Sequence, residues 1–355
     1  MAKHEAFPMN GGSGLYSYTR NSTFQRKDTE SAIELINKGI AEKLDLNNIS
    51  SSSNTFRLAD LGCSVGPNTF LAVQNIVDSV EDKYKSQGLS HLLPEFQVFF
   101  NDHISNDFNQ LFSSLPPERR YYASGVPGSF HGRLFPSSSL HFVYSSNAVH
   151  WLSRVPKEVL DKNSPAWNKG RIQYSNSPLE VVKSYEAQYF KDMERFLTAR
   201  SQEIVHGGLM ALLVPACPNE TPHSELFFNE ALALLGSCVI ELAKKSMISE
   251  EKVDSFNLPL YYAPFQQLEA IVDQNGYFSI EIMESLTKER PPSKLFSSVL
   301  RAGLEGLIKQ HFGDEIDLDK LFDLYYQKFE EISSTNEPNK PIVLFLLLKR
   351  KEQSD

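Results

Sequence analysis

The chain carries five short runs of apolar residues, and none shows the polar alternation expected of a half-exposed sheet. They lie at residues 56–62, 96–100, 140–146, 208–214 and 341–348. We therefore predict five strands buried on both faces. Between the first two runs, apolar residues recur at helical spacing, namely Phe70, Val73, Ile76, Val77, Val80 and Tyr84. Pro67 stands near the first turn of this predicted helix, where a missing N–H costs least.

A second predicted helix spans residues 179–200, and its apolar stripe comprises Val182, Tyr185, Tyr189, Met193, Phe196 and Leu197. The alternation of strand and helix predicts an α/β fold with a parallel sheet covered on both faces. Helical stripes dominate instead between residues 217 and 335. This stretch predicts a mostly helical cap, inserted before a last strand that rejoins the sheet.

Charge and cysteine content narrow the function classes. The 355 residues include 44 acidic and 35 basic side chains, a formal net charge of −9. This balance argues against a protein that binds nucleic-acid phosphates and against an anionic-membrane partner. The three cysteines form no C-x-x-C pair, so the sequence predicts neither a disulfide framework nor a thiolate zinc site. Because it lacks a signal-like start and any apolar run of about 18 residues, we expect a soluble cytoplasmic protein.

The first predicted strand ends in a glycine turn that starts a helix. Its residues run Asp60-Leu61-Gly62-Cys63-Ser64-Val65-Gly66-Pro67-Asn68. Such a turn aims backbone N–H groups and a helix N-terminus at a ligand, or it is a tight connection with no ligand. The G-x-G-x-x-G dinucleotide fingerprint is absent, because Cys63 and Ser64 follow Gly62. An acid at the strand end favours instead a ligand with a cationic amino-acid tail.

The second predicted strand ends at Asn101-Asp102. After a glycine turn, an acid at the end of the next strand commonly holds the hydroxyls of a ribose. On its own, such an acid equally serves as a cap for the element that follows. Together, the two strand ends describe a ligand that joins a nucleoside to an amino acid. S-adenosylmethionine (SAM) is such a ligand.

The third predicted strand leads into Asn147-Ala148-Val149-His150-Trp151. His150 and Trp151 therefore leave the sheet at its carboxyl edge, where open α/β sheets bind ligands. An indole N–H donates and a histidine donates or accepts, so the pair suits a carboxylate; a core tryptophan beside a satisfied histidine is the alternative. Upstream, residues 125–130 (GVPGSF) are typical of a turn loop, and residues 11–25 have the composition of a flexible tail.

Taken together, these segments resemble the plant SABATH methyltransferases, which act on salicylate, benzoate, theobromine and related small acids and N-heterocycles. The similarity covers nearly the whole chain, and five motifs occur in order. They are Ser17-Tyr18 with Asn21-Ser22 and Gln25, the turn at 60–68, Asn101-Asp102, residues 125–130 and residues 150–156 (HWLSRVP). The resemblance implies an α/β fold, a Rossmann-like SAM methyltransferase sheet with a mostly helical cap.

The resemblance also implies a division of the chain and a homodimer. Residues 1–25 would fold over the active site as a lid, which reverses the interpretation as a tail. Residues 26–155 would form the first part of the SAM-binding core, and residues 156–216 a core helix and strand with cap elements. Residues 217–335 would form the substrate cap with one core strand near 276–285, and residues 336–355 the final core strand and tail.

On the cofactor side, the resemblance implies SAM contacts for Tyr18, Ser22, Asp60, Cys63, Asn68, Asp102, His103, Ser129, Phe130, Ser146 and Asn147. Three of these positions, Asp60, Cys63 and Asn68, match the methionine end of SAM. Asp102 matches the residue that takes the ribose hydroxyls. The adenine would be framed by His103, Ser129 and Phe130.

On the acceptor side, the resemblance implies that Gln25 and Trp151 hold the substrate carboxylate. His150 and Tyr261 would line the acceptor pocket. Some relatives also hold a magnesium ion, at positions that match Asn168, Asp254, the Phe256 carbonyl and Asn257. Oxygen ligands of this kind suit magnesium, and an ordinary hydrogen-bond network between loops is the alternative.

The implied reaction is transfer of a methyl group from SAM to a small carboxylic acid. An acid with a pKa of about 4 is ionised at pH 7, so positioning suffices and no general base is needed. His150 stands where some salicylate enzymes have methionine, His131 where tyrosine is common, and residues 229–233 lack a tryptophan that walls a flat pocket. These departures favour a larger or non-aromatic acid, such as a terpenoid or iridoid acid. The alternatives are N-methylation of a xanthine or pyridine, a nicotinamide-dependent oxidoreductase and a non-catalytic small-molecule receptor.

Overall fold

The computed structural model describes residues 7–46, 54–335 and 339–352. Within these residues, seven strands form one sheet: β1 (Thr55–Leu61), β2 (Glu95–Asp102), β3 (Tyr122–Pro127), β4 (Leu140–Ser146), β5 (Ile204–Pro215), β6 (Phe278–Thr287) and β7 (Ile342–Arg350). Their order across the sheet is β3-β2-β1-β4-β5-β7-β6. The five predicted apolar runs are confirmed as β1, β2, β4, β5 and β7. Strand β6 lies where a core strand near 276–285 is predicted.

The sheet is mixed. Strands β1 to β5 run parallel to one another, whereas β7 is antiparallel to both of its neighbours, β5 and β6. The prediction of a wholly parallel sheet is therefore wrong at this end. It rested on regular strand–helix alternation, which stops after β5, and an apolar run does not encode the direction of its strand.

The prediction of a turn loop at residues 125–130 is also wrong in part, because Gly125, Val126 and Pro127 belong to β3 and pair with β2. This strand lies at the edge of the sheet and is half-exposed, so it carries no apolar run. Packing favours glycine at position 125, because a Cβ atom there would lie 3.0 Å from the Phe112 ring. The turn itself begins only at Gly128.

Helices cover both faces of the sheet and build the cap. They are α1 (Tyr18–Asn21), α2 (Thr23–Lys43), α3 (Pro67–Ser86), α4 (Phe108–Ser113), α5 (Leu179–Glu203), α6 (Phe227–Lys244), α7 (Glu250–Ser255), α8 (Phe265–Asn275), α9 (Ser293–Phe312) and α10 (Leu318–Thr335). Pro67 is the first residue of α3, as predicted. Helices α2 and α3 pack on one face of the sheet, and α5 and α8 on the other. The fold is therefore Rossmann-like, as predicted.

A third hydrophobic cluster forms the cap, from α6, α7, α9 and α10. Phe24 of α2 belongs to this cluster, although most of α2 packs on the sheet. Helix α2 thus joins the sheet to the cap. No helix in the described part of the chain is long and apolar enough to cross a membrane.

The N-terminal segment from residue 7 packs against both the sheet edge and the cap. The Asn10 N–H donates to the Ala302 carbonyl at 2.9 Å, and the Gly12 N–H donates to Asp107 Oδ2 at 2.9 Å. The Thr19 hydroxyl donates to the carbonyl of Val65 at 2.8 Å. Composition alone indicates a flexible tail for residues 11–25, whereas Asn10, Gly12 and Thr19 make hydrogen bonds with the cap and the core. A lid at residues 1–25 stays a prediction, and residues 1–6 lie outside the described part of the chain.

Candidate active site

Three adjoining cavities lie between the carboxyl ends of β1, β2 and β4 and the cap. We name them the Asp60 cavity, the Asp102 cavity and the cap cavity, with volumes of about 30, 60 and 110 Å³. Tyr18 and Asn147 line all three cavities. The predicted strand-end motifs therefore meet at one edge of the sheet, as the rule for parallel sheets requires.

The Asp60 cavity is polar and is bounded by the glycine turn. Its lining comprises Tyr18, Gln25, Thr29, Asp60, Gly62, Cys63, Gly66, Asn68, Thr69, Tyr144, Ser146 and Asn147. The backbone of Gly62 is left-handed, with φ of 81°, and a Cβ there would lie 2.5 Å from the Ala148 side chain. The turn therefore requires glycine at this position.

Asp60 is the charged group of this cavity. Burial raises its pKa to about 7, the nearby charge of Asp102 raises it further, and the hydroxyl of Thr69, which donates to Oδ2, opposes the rise. A carboxyl of this kind gains from a cationic partner, because such a partner restores the ionised form. The position suits the ammonium group of an amino-acid tail.

The Asp102 cavity is lined by Phe7, Met9, Tyr18, Gly62, Ser64, Asp102, His103, Phe130, Ser146, Asn147, Ala148 and Trp151. The Asp102 carboxylate accepts two backbone hydrogen bonds, from Ser64 at Oδ2 and from His103 at Oδ1, both at 2.7 Å. Burial raises the pKa of Asp102, and these hydrogen bonds lower it. The carboxylate is thus fixed at the end of β2, facing a cavity with an aromatic wall.

Two residues predicted for the cofactor lie near these cavities without lining them. Ser22 is buried, and its carbonyl accepts a hydrogen bond from the Asn68 side chain at 2.9 Å. Ser129 precedes Phe130 and is absent from the lining of the Asp102 cavity. The structure therefore brings the other predicted cofactor residues to the cavity walls, and Ser22 and Ser129 are not among the lining residues.

The cap cavity has apolar walls and a polar end. The walls come from α2, α6, α9 and neighbouring segments: Met9, Phe24, Pro215, Phe228, Leu232, Leu260, Phe296, Val299, Leu300, Gly303 and Leu304. The polar end comprises Tyr18, Gln25, Asn147, His150, Trp151 and Tyr262. Gln25 lines the Asp60 cavity as well, so it lies at the boundary between the two spaces.

Two polar atoms at the cap cavity are buried without a partner among the described residues, Gln25 Oε1 and His150 Nδ1. Burial lowers the pKa of His150 to about 3, so the imidazole is neutral at physiological pH. Its ring stacks on Tyr262 with centroids 5.4 Å apart and an angle of 19°. Unpartnered buried polar groups are rare and costly, so this end of the cavity suits a polar ligand.

Tyr261 does not line the cap cavity, so its prediction as a pocket residue is corrected. Residues 258–262 form an extended segment that bridges Trp151 through Leu260. Successive side chains of extended backbone point to opposite sides, so Leu260 and Tyr262 face the cavity and Tyr261 faces the core. There it packs against Tyr174 and Tyr189, with ring centroids 4.9 and 5.2 Å away.

Three of the residues predicted for magnesium accept hydrogen bonds from the protein at side-chain oxygens. Asn168 donates to Asn257 Oδ1 at 2.7 Å and accepts from Ser177 at 2.7 Å. Asp254 Oδ1 accepts the Gly170 N–H at 2.9 Å. No cluster of three or more His, Cys, Asp or Glu side chains suited to a metal occurs in the described ranges. These hydrogen bonds agree with the network that was the alternative, and a magnesium site at Asn168, Asp254, the Phe256 carbonyl and Asn257 stays a prediction.

Sequence reasoning missed most of the apolar wall and a buried ion pair. Asp28 of α2 lies 2.6 Å from the Lys288 ammonium, and 1% and 4% of the two side chains are exposed. No motif marks this pair, whose members are 260 residues apart. Phe228 and Leu232 stand four residues apart on α6, a spacing that marks one helix face but not what it faces.

Comparison with known proteins decides the family. The profile described as SAM dependent carboxyl methyltransferase matches residues 4–351. The chain belongs to this family. It is therefore a SAM-dependent carboxyl methyltransferase, and the oxidoreductase and receptor interpretations are wrong.

The similarity to individual relatives extends over nearly the whole chain. Loganic acid O-methyltransferase of Catharanthus roseus is 47% identical over 98% of this chain and 95% of its own length. Farnesoic acid carboxyl-O-methyltransferase of Arabidopsis thaliana is 41% identical over 98% and 99%. A solved loganic acid methyltransferase with SAH, at 46% identity, superposes with a TM-score of 0.93 over 98% of this chain and 99% of that chain. The predicted family, fold and cofactor are confirmed.

Proposed function

We propose that the acceptor is a non-aromatic terpenoid or iridoid carboxylic acid, converted to its methyl ester. The observation that carries this proposal is the aliphatic part of the cap-cavity wall, Leu232 on α6 and Val299, Leu300 and Leu304 on α9, which lies beside the rings of Phe24, Phe228 and Phe296. Branched aliphatic side chains on these two helices suit a non-planar ring or a flexible chain. The relatives named for loganic and farnesoic acids support the same class.

The acid's carboxylate is proposed to lie at the polar end of the cap cavity, between Gln25 and Trp151. Both side chains offer neutral N–H donors. The neutral His150 beside them adds a polar contact without a positive charge. Neutral donors orient the carboxylate while leaving its oxygen nucleophilic, whereas a full positive charge would stabilise the anion and slow its attack.

On the cofactor side, we assign Asp60 to the ammonium group of SAM and Asp102 to the ribose hydroxyls. Phe130 and His103 lie on the same cavity as Asp102 and would contact the adenine. The remaining predicted contacts are Tyr18, Ser22, Cys63, Asn68, Ser129, Ser146 and Asn147. For Ser22 and Ser129 the contact would be indirect, through Asn68 and Phe130.

The mechanism follows from position rather than from proton transfer. When bound, SAM supplies an activated methyl group on a positively charged sulfur. The chain's residues would hold the acid oxygen close to that carbon and oriented for its transfer, which is how positioning lowers the barrier. The segment at residues 7–22 and the walls of α6 and α9 exclude water from the carboxylate.

The test is methyl transfer from isotope-labelled SAM to a panel of acids, read by mass spectrometry. The panel contains iridoid, acyclic terpenoid, benzoic, phenolic, jasmonate-like and indole acids, with xanthines and nicotinate as nitrogen acceptors. The proposal predicts kcat/KM highest for an iridoid or terpenoid acid. Preference for a benzoic acid would overturn the acid class, and methylated nitrogen would establish the alternative.

Two further expectations stay proposals. A homodimer and a cytoplasmic location rest on the family resemblance and on composition. Light scattering of the purified protein and imaging of a fluorescent fusion test them. Magnesium is left out of the proposed mechanism, because positioning of an ionised acid suffices for methyl transfer from SAM.

A further inference from the structure

Asn147 occupies the point at which the three cavities meet. Its side chain lines the Asp60, Asp102 and cap cavities, a property that it shares with Tyr18. The sulfur of SAM is bonded to three carbons, which lead to the amino-acid tail, to the ribose and to the transferred methyl group. A ligand whose three arms enter three cavities has its branching atom where they join, and so beside Asn147.

The backbone of Asn147 is held firmly. It is left-handed, with φ of 53°, a conformation that asparagine tolerates better than most residues. Its N–H donates to the Leu213 carbonyl at 2.9 Å, which ties the residue to the end of β5. The residue therefore cannot shift along the sheet edge, and only its side-chain rotation remains to be fixed.

The buried pair of Asp28 and Lys288 fixes that rotation together with the Ser146 hydroxyl, whose Oγ accepts from Asn147 Nδ2 at 3.1 Å. Asn147 Nδ2 donates to Asp28 Oδ2 at 3.0 Å, and Lys288 Nζ lies 2.6 Å from Asp28 Oδ1. Lys288 also donates to the Phe24 carbonyl at 3.2 Å and lies 3.5 Å from the centre of the Phe24 ring. An ionised carboxylate only accepts hydrogen bonds, so it must receive the NH₂ group of the asparagine. The amide oxygen is consequently turned away from Asp28.

We propose that Asp28 and Lys288 act as positioning residues, which hold the Asn147 amide with its oxygen toward the SAM sulfonium. The negative end of the amide dipole then faces the positive sulfur. The charges of Asp28 and Lys288 offset each other, so the dipole rather than a full charge contacts the cofactor. The inference rests on SAM dependence alone and is independent of the acid class proposed above.

This arrangement discriminates SAM from its product. SAM carries a positive sulfur, whereas SAH lacks the methyl group and the charge, and the two are otherwise identical. A correctly oriented Asn147 stabilises SAM more than SAH. A purely structural contribution from the same residues would alter both affinities equally.

The test compares the dissociation constants of SAM and SAH by titration calorimetry, without acid and without turnover. Asn147→Leu removes the dipole while keeping similar bulk, and Asn147→Gly, which adopts a φ of 53° without strain, controls for the backbone strain that leucine meets there. We expect the SAH/SAM ratio of dissociation constants to fall about tenfold relative to the native protein. Asn68→Ala is the matched control, since it acts at the Asp60 cavity, which holds the part common to both ligands; it should weaken both equally.

A second variant tests the ion pair itself. Asp28→Leu alone would leave a buried lysine charge near the sulfonium, so Lys288→Met accompanies it, and a buried pair replaced together is often tolerated. In the double variant only the Ser146 hydroxyl remains beside the amide, and a hydroxyl can accept from the NH₂ group or donate to the oxygen, so the amide can turn. We expect the same direction of change in the SAH/SAM ratio. A ratio that stays native in the folded double variant overturns the role of the pair.

The single variant decides the proposal if the double variant does not fold. Equal loss of SAM and SAH affinity in Asn147→Leu overturns the proposal, because it shows a structural role only. Failure of the terpenoid-acid proposal leaves these affinities untouched, since no acid is present in the titrations. The two proposals therefore fail separately.

Discussion

The two sides of this active site are built in different ways. The cofactor side lies at strand ends, where Asp60 and Asp102 each follow a buried run and belong to short motifs. The acceptor side is assembled from α2, α6 and α9, helices that lie far apart along the chain. A site for a fixed ligand is thus encoded locally, whereas a wall that selects among acids arises from tertiary packing of apolar helix faces.

The electrostatics differ in the same way. On the cofactor side, burial raises the pKa of Asp60 to about 7, and a cationic ligand group would restore its charge. On the acceptor side, burial lowers the pKa of His150 to about 3 and keeps it uncharged. The first side therefore suits a cation, and the second offers neutral donors to an anion that must stay reactive.

The largest expected effect comes from removing the segment that covers both sides. Deletion of residues 1–20 removes Tyr18, which lines all three cavities, and the contacts to Ala302, Asp107 and Val65. We expect turnover to fall by about 100-fold or more, because water enters and alignment is lost. The thermal midpoint measures whether the sheet stays folded. Full activity of the truncated protein would show that the segment plays no part.

The next largest effect is expected from removing Asp102 on the cofactor side. Asp102→Ala removes the carboxylate proposed for the ribose hydroxyls and also releases the backbone N–H groups of Ser64 and His103. We expect SAM affinity to fall on the order of 30-fold, with little change in acid affinity. The affinity for the cofactor is measured by calorimetry with SAH, which carries the same ribose as SAM. The affinity for the acid is measured as its KM at saturating SAM. Unchanged SAH binding would contradict the ribose role.

A smaller effect is expected from changing Trp151 on the acceptor side. Trp151→Phe removes the indole N–H while keeping most of the ring. We expect kcat/KM for the acid to fall about tenfold, the cost of a hydrogen bond to a charged group. The chain's other tryptophan, Trp167, lines none of the three cavities, so Trp167→Phe is the matched control. Equal effects of the two changes would contradict carboxylate binding by Trp151.

The smallest effect is a pH dependence confined to the cofactor side. Asp60 has a pKa of about 7 without ligand, and its ionised form binds the SAM ammonium. SAM affinity should therefore rise about fivefold from pH 6 to 7.5 and then fall as the α-amino group loses its proton. Asp60→Asn should flatten the lower limb. A native affinity that is constant or falls over this range would contradict the assignment.

The cofactor side was easier to predict from the sequence than the acceptor side, because its residues follow buried strands. The strands β1, β2, β4, β5 and β7 are apolar runs, and the residues at their ends follow from them. Edge strand β3 was missed, because it is half-exposed and contains Gly125 and Pro127. Resemblance supplied Gln25 and Tyr18, which composition alone assigns to a tail.

Tertiary packing explains the remaining errors. Tyr261 and Tyr262 are adjacent and chemically identical, and only the direction of the extended segment decides which one faces the cavity. Asp28 and Lys288 meet across 260 residues without any local pattern. The walls from α9 are amphipathic-helix positions that a sequence marks as buried but does not assign to a ligand.

The most direct test measures both sides in one pair of variants. Leu300→Ala shortens a half-buried side chain of α9 and so enlarges the cap cavity on the acceptor side. Asp102→Ala removes a carboxylate on the cofactor side. For each, SAH affinity is measured by calorimetry and acid KM by steady-state kinetics. The account predicts that Leu300→Ala changes acid KM and leaves SAH affinity within about twofold, while Asp102→Ala does the reverse. A loss of SAH affinity in Leu300→Ala as large as that in Asp102→Ala would contradict the separation of the two sides.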